Sequence, residues 1–145
     1  MALYLGPEFL PTWNGYPPRM SDEDYRIWLR WWPGVRGQAL RMWFDVGLGA
    51  GKEIPDETSA ELAWMWTRNT QKRADVIIET MDEIRLVEVR FKAQPNAIGR
   101  LLTYLDLLEA DNPWTKRIRP VLVTDQLDPD VRASAAKRDI FYVVV

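Results

Sequence analysis

The sequence predicts an α/β (α+β) fold with a mixed central sheet, an antiparallel meander followed by crossover helices. Three observations carry that prediction. Between Arg73 and Lys92, two apolar β-rich runs flank the short polar stretch Met81-Asp82-Glu83, which reads as a hairpin. Upstream, Gln38 to Leu48 alternates, with Leu40, Met42, Phe44, Val46 and Leu48 on one face and Arg41, Trp43 and Asp45 on the other. Downstream, helical and strand patterns alternate to the end of the chain, the order that builds crossover connections.

The elements follow in order. Residues 1–20 carry Pro7, Pro11, Pro17 and Pro18 with Gly6, Asn14 and Gly15, so they read as an extended arm. The arm also holds Leu3, Tyr4, Leu5, Phe9, Leu10, Trp13 and Tyr16, which disordered tails lack. It is therefore expected to pack on something, and we expect another subunit or assembly protein. Residues 21–145 read as a single α/β domain. Ser21 caps a helix with Asp22, Glu23 and Asp24 in its first turn and Tyr25, Trp28, Leu29 and Trp32 along its stripe; Pro33-Gly34 is expected to end it. Thr58 to Glu61 could cap a short helix, but the alternation of Leu62, Trp64 and Trp66 favours a strand from about Leu62. Asn96 to Glu109 is the clearest helix, with Ile98, Leu101, Leu102, Leu105 and Leu108 as its stripe. Ile118–Thr124 reads as a strand with Pro120 at its start or on an edge, Asp128-Pro129 opens a helix to Lys137, and Ile140–Val145 is a final strand.

Composition narrows the chemistry. The 145 residues include 19 basic and 21 acidic side chains, a net charge of -2, with no polybasic segment. The footprint of a tight nucleic-acid binder is absent from the total, although a local basic groove fits within it. There is no Cys and no His. That removes disulfides, thiolate nucleophiles, zinc clusters and every His-based triad. Carboxylates, Lys, Tyr, Ser/Thr or a metal must carry any reaction. No apolar run is long enough for a membrane span and no signal peptide is evident, so an intracellular location is expected.

Two acids stand out inside the hairpin runs: Asp75 in the first and Glu88 in the second. With the turn centred on positions 81 and 82, residue i pairs with residue 163 minus i, which sets Asp75 opposite Glu88. Directly opposed Cβ atoms lie ~4.5–5.5 Å apart. Carboxylates that close repel unless a proton or cation separates them, and oxygen donors suit a hard divalent metal. The plain alternative is an ordinary half-exposed sheet whose acids pair with Arg73, Arg85 and Arg90.

Residues 73–124 resemble the PD-(D/E)XK, or restriction-endonuclease-like, superfamily. Ala74-Asp75 stands where that family has Pro-Asp, and Glu88-Val89-Arg90 where it has Glu-x-Lys. Arg100 to Tyr104 keeps the Tyr of a Gln-x-x-x-Tyr pattern and replaces the Gln. The resemblance implies a restriction-endonuclease-like core, with Asp75 and Glu88 holding Mg²⁺ or Mn²⁺ and Asp75, Glu88, Arg90 and Lys92 as the catalytic set. Lys92 shares strand parity with Arg90, ~6.6 Å further along. Glu23 and Glu61 are candidates for a further ligand.

Arg90 cannot act as a base, because guanidinium stays protonated. The style of the chain is similar to small bacteriophage nuclease-like proteins. We therefore expect a nuclease-like protein with weakened or lost catalysis that serves in a virion or its DNA-packaging or head-completion apparatus, in the host cytoplasm or the particle. An active Mg²⁺-dependent DNA endonuclease and a small protein-interaction module are the alternatives. Expected partners are assembly proteins, met through residues 1–20 and through Trp13, Trp31, Trp43 and Trp114, and DNA; no membrane is expected, and the chain is expected to be oligomeric or complexed.

Overall fold

The computed structural model describes residues 2–145. Five strands form one sheet in chain order: β1 Ala39–Leu48, β2 Lys72–Thr80, β3 Glu83–Arg90, β4 Arg117–Thr124 and β5 Phe141–Val144. The helices are α1 Asp22–Val35, α2 Ala60–Thr70, α3 Pro95–Ala110 and α4 Pro129–Lys137, and a 3-10 turn at Arg36–Gln38 leads into β1.

The hairpin sets the register. Val76 pairs with Val87, Ile77 with Leu86, Ile78 with Arg85 and Glu79 with Ile84, the expected sum of 163, but the ladder stops there and the expected pairing of Asp75 with Glu88 is not part of it. Thr80 closes the turn, because its hydroxyl accepts from the Glu83 N–H and donates to the Glu83 carbonyl. β1 to β3 is an antiparallel meander, while β4 and β5 join in parallel after the α3 and α4 crossovers. The two crossovers step in one direction, and both helices lie on one face. There, Ile98, Leu101 and Leu108 of α3 and Val131 and Ala135 of α4 bury Ile77, Ile84, Leu86 and Leu122. The opposite face is covered by Ile27, Trp28, Trp31 and Trp32 of α1 against Phe44, Val76, Val87 and Val121.

Several expectations change. Residues 60–70 form a helix rather than a strand. The Ser59 hydroxyl accepts from the Leu62 N–H, and Leu62, Met65 and Trp66 recur at helical spacing, which the Leu62/Trp64/Trp66 alternation had masked. α1 runs past Pro33 to Val35, and α3 starts at Pro95 with Gln94 as its cap residue. Pro120 lies inside the sheet rather than on its edge, but β5 joins β4 only from Val121 onward, so no ladder donor is missed on that side.

The Trp expectation also fails. Trp31 and Trp43 are buried, Trp13 packs on Phe44 and Trp114 on Trp43. The exposed pair is Trp64 and Trp66 on α2.

The arm packs on its own domain. Tyr4 bridges Gly47 and Phe9 bridges Met42 through paired backbone hydrogen bonds of 2.8–2.9 Å along the free edge of β1. Phe9 and Trp13 stack edge-on to each other and both reach Phe44, while Arg36 donates to the Pro11 carbonyl at 2.6 Å. The arm thus finishes the α1-side core and blunts an edge strand. Removing residues 2–16 is expected to lower the urea midpoint sharply, and Trp13→Ala alone is expected to cost about 2 kcal/mol. Equilibrium urea unfolding measures both; a truncated chain as stable as the full one would mean that the arm is not part of the core.

Candidate functional site

The site lies where β3 and β4 end and β2 begins. Its position follows from a reversal of faces. Residues two apart on a strand normally share a face. Phe44 and Val76 nevertheless belong to the α1-side core, whereas Val46 and Ala74 belong to the α3-side core. Asp45 and Asp75 are the residues between, and the β1–β2 ladder steps from Phe44–Val76 to Val46–Ala74 across them. Asp45 takes φ 51°, a left-handed value that Asp tolerates better than most side chains. Its carboxylate is held by Arg73 at 3.0 Å and Arg19 at 3.5 Å.

Asp75, freed from the ladder at this point, turns its carboxylate onto the next strand. Its Oδ2 accepts from the Val89 N–H at 2.9 Å. Glu88 is fully buried, and neither of its carboxylate oxygens has a hydrogen-bond partner. The Arg90 guanidinium approaches Glu88 Oε2 at 3.3 Å and Asp24 Oδ2 at 3.6 Å. Asp24 comes from the first turn of α1, and its other oxygen accepts from the Phe91 N–H at 2.8 Å. The turn after β3 is fixed further by Asp125, which accepts from the Lys92 N–H at 2.8 Å, and by Thr124, whose hydroxyl accepts from the Ala93 N–H at 3.1 Å.

The electrostatics match this crowding. Burial pushes Asp75 up to about 6, against the Val89 hydrogen bond and the Arg90 charge, with Asp24 and Asp45 adding to the rise. Glu88 is held well above the usual carboxylate range by burial first and by the Asp75 charge second, with Arg90 opposing. Tyr104 on α3 is buried beside the same pair. Its phenol is pushed up to about 12 by burial and by the Glu88 and Asp75 charges, so it stays protonated at neutral pH.

The structure brings together Asp75, Glu88 and Arg90 of the expected set. Lys92 is not joined to them: its ammonium lies 5.0 Å over the Phe91 ring, and it forms no ion pair with either acid. Glu23 and Glu61 are exposed and form no ion pair among the described residues. Asp24 is the acid that sequence reasoning missed, because it was assigned to the helix dipole; its i+1 neighbour Tyr25 on the buried stripe was the available hint. Among the described residues no group of three or more acids that could hold a metal ion is found.

Among the described residues no helix is long and apolar enough to cross a membrane. Comparison with family models, curated proteins and solved structures finds no match.

The raised acids give a stability prediction. A carboxyl whose folded value lies above its unfolded value stabilises the fold while protonated. That contribution is complete below the ordinary value near 4 and is lost as pH rises through about 6 for Asp75; for Glu88 it is lost above the usual carboxylate range. In EDTA the wild type should therefore be less stable at about pH 8 than at about pH 5. Glu88→Gln should flatten the change and raise the urea midpoint at the higher pH, because it removes a buried charge. Equal midpoints for both proteins at both pH values would show that Glu88 does not titrate in this environment.

Proposed function

We propose that this chain is a PD-(D/E)XK-like, DNA-directed phosphodiesterase domain in which Asp75 and Glu88 bind Mg²⁺ or Mn²⁺ and cleavage is weak. One observation carries the reading. Glu88 is fully buried, its two oxygens lack hydrogen-bond partners and are met only by the Arg90 charge at 3.3 Å, and a second carboxylate, Asp75, crowds it. A buried carboxylate pair is costly unless a cation compensates it. Two oxygen donors, with water and backbone carbonyls to complete the shell, fit a hard divalent ion. When bound, such an ion supplies an activated water and neutralises charge on a scissile phosphate.

The chain's own residues set the rest. The Val89 N–H fixes the Asp75 carboxylate. Arg90 is placed to grip a phosphate oxygen with the guanidinium edge that now faces Asp24. It cannot remove a proton from water, so the step that a Lys would assist lacks its base. Arg90 also offsets part of the negative charge that would draw in the metal. Both effects slow cleavage rather than abolish binding.

A second reading is favoured by a separate observation. α2 buries no side chain and exposes Leu62, Trp64, Met65 and Trp66. Trp and Met are enriched at protein interfaces. This supports service as an assembly part of a phage particle or its DNA-packaging apparatus, in the host cytoplasm or the virion.

Titration calorimetry with Mn²⁺ and plasmid cleavage test the first reading. Wild type is expected to bind Mn²⁺, more tightly as pH rises through about 6, since protons compete for Asp75. Asp75→Ala and Glu88→Gln should lose both binding and cleavage. Arg90→Lys should raise the cleavage rate by roughly a hundredfold, the lower end for a positioned general base. Mn²⁺ binding that survives Glu88→Gln would place the metal elsewhere.

A further inference from the structure

The exposed α2 face has a counterpart on the same molecule. Leu62, Met65 and Trp66 lie on one side of α2. The Trp66 indole donates to the Glu53 carbonyl at 3.0 Å, which ties the preceding loop to this face. That approach carries Glu53, Asp56, Glu57 and Glu61, all exposed and none in an ion pair among the described residues. Its cations are Lys52 and Arg68, and Arg68 is turned back onto the Tyr4 ring at 3.4 Å and onto Gln71 at 3.0 Å. The outer surface is therefore apolar with an acidic border, which disfavours nucleic acid and anionic lipid.

A cleft of about 410 Å³ has the opposite character. Trp31, Val35, Val121 and the exposed Phe141 form its apolar walls, and Arg85 and Arg119 stand in its polar part. Both arginines contact Glu83, at 3.1 and 2.8 Å, leaving two positive charges against one negative. Arg119 spends only its Nε on that pair, so its outer N–H groups remain available. The cleft lies at the starting ends of β3 and β4. α2 feeds the start of β2, which is antiparallel to β3. Helix and cleft therefore sit at opposite ends of the sheet.

We propose that the chain associates head to tail, with α2 of one copy seated in the Arg85/Arg119 cleft of the next. Apolar side chains meet apolar walls, and the acidic border meets the excess positive charge. The two patches differ, so the contact is heterologous and leaves a free helix and a free cleft after each addition; it closes into a ring or runs on as a filament. The inference rests on the assembly reading and not on the acid pair, so the Mn²⁺ experiment fails or succeeds separately.

The test uses sedimentation velocity on the full chain across a concentration series. The helix variant is Leu62→Gln with Met65→Gln, both good helix formers at exposed positions. The cleft variant is Phe141→Thr with Arg119→Gln. Circular dichroism and urea midpoints establish that each is folded. Wild type is expected to grow past two copies with concentration, and each variant to associate at least roughly thirtyfold more weakly, the loss of one interface anchor. Mixing the two variants is decisive. One retains its cleft and the other its helix, so the mixture should form dimers and stop there. A wild type that stays monomeric overturns the proposal. So does an associating wild type whose variants fail to complement each other, since that describes a symmetric contact or a different surface. Cleft variants that fail to fold would be replaced by Phe141→Thr alone, whose expected weakening and complementation are the same.

Discussion

The repulsion between Asp75 and Glu88 is the constraint on which the rest of the site depends. Left to themselves, two carboxylates would separate or one would reach water. Here neither can move, because the Val76–Val87 to Glu79–Ile84 ladder fixes the strands and the α3-side core closes over Glu88. The strain is relieved by protonation, which the raised values of both acids express, by Arg90, or by an external cation. A sheet that needed only stability would have an apolar residue at position 88, as it has at Ile84 and Leu86 four and two places earlier.

Neighbouring elements are recruited to hold this end of the sheet together. The left-handed Asp45 and the unpaired Asp75 let β1 and β2 exchange faces at one level, so the acid leaves the ladder without breaking the strands on either side. Asp24, Thr124 and Asp125 accept from three consecutive N–H groups, Phe91 to Ala93, and tie the turn after β3 to α1 and β4. That turn takes the left-handed φ of 47° at Lys92, which directs its backbone donor to Asp125 while the side chain passes over Phe91. The shifted-lysine expectation counted strand parity beyond Arg90, but β3 ends there, so parity no longer applies.

What could be read from the sequence was what local pattern determines. The turn symmetry fixed the hairpin register to the residue, because a side-chain period of two leaves a one-residue slip no low-cost alternative. The capped helices α1 and α4 were readable for the same reason: Ser21 and Asp128 do accept from the first-turn N–H groups. α2 was not, since an exposed helix has no buried stripe to declare its period and Leu62, Trp64 and Trp66 mimic a strand. The arm was read as packed, and it does lie on its own domain through Phe9 and Trp13, although Leu10, expected to be buried, is exposed. Composition says that a segment must be covered; only topology says that β1 is an edge strand with room beside Met42 and Gly47. Asp24 illustrates the same limit, since its meeting with Arg90 depends on how α1 crosses the sheet.

Arg90 is where stability and chemistry meet. A Lys here would place one mobile point charge among Asp24, Asp75 and Glu88, able to give up its proton as that crowding changed. A guanidinium keeps its charge at every accessible pH and spans two acids at once, 3.3 Å from Glu88 and 3.6 Å from Asp24. That locks α1 to the end of β3 and lessens the cost of burying Glu88. The same guanidinium thus steadies the buried acids and, because it keeps its proton, cannot act as a base beside them.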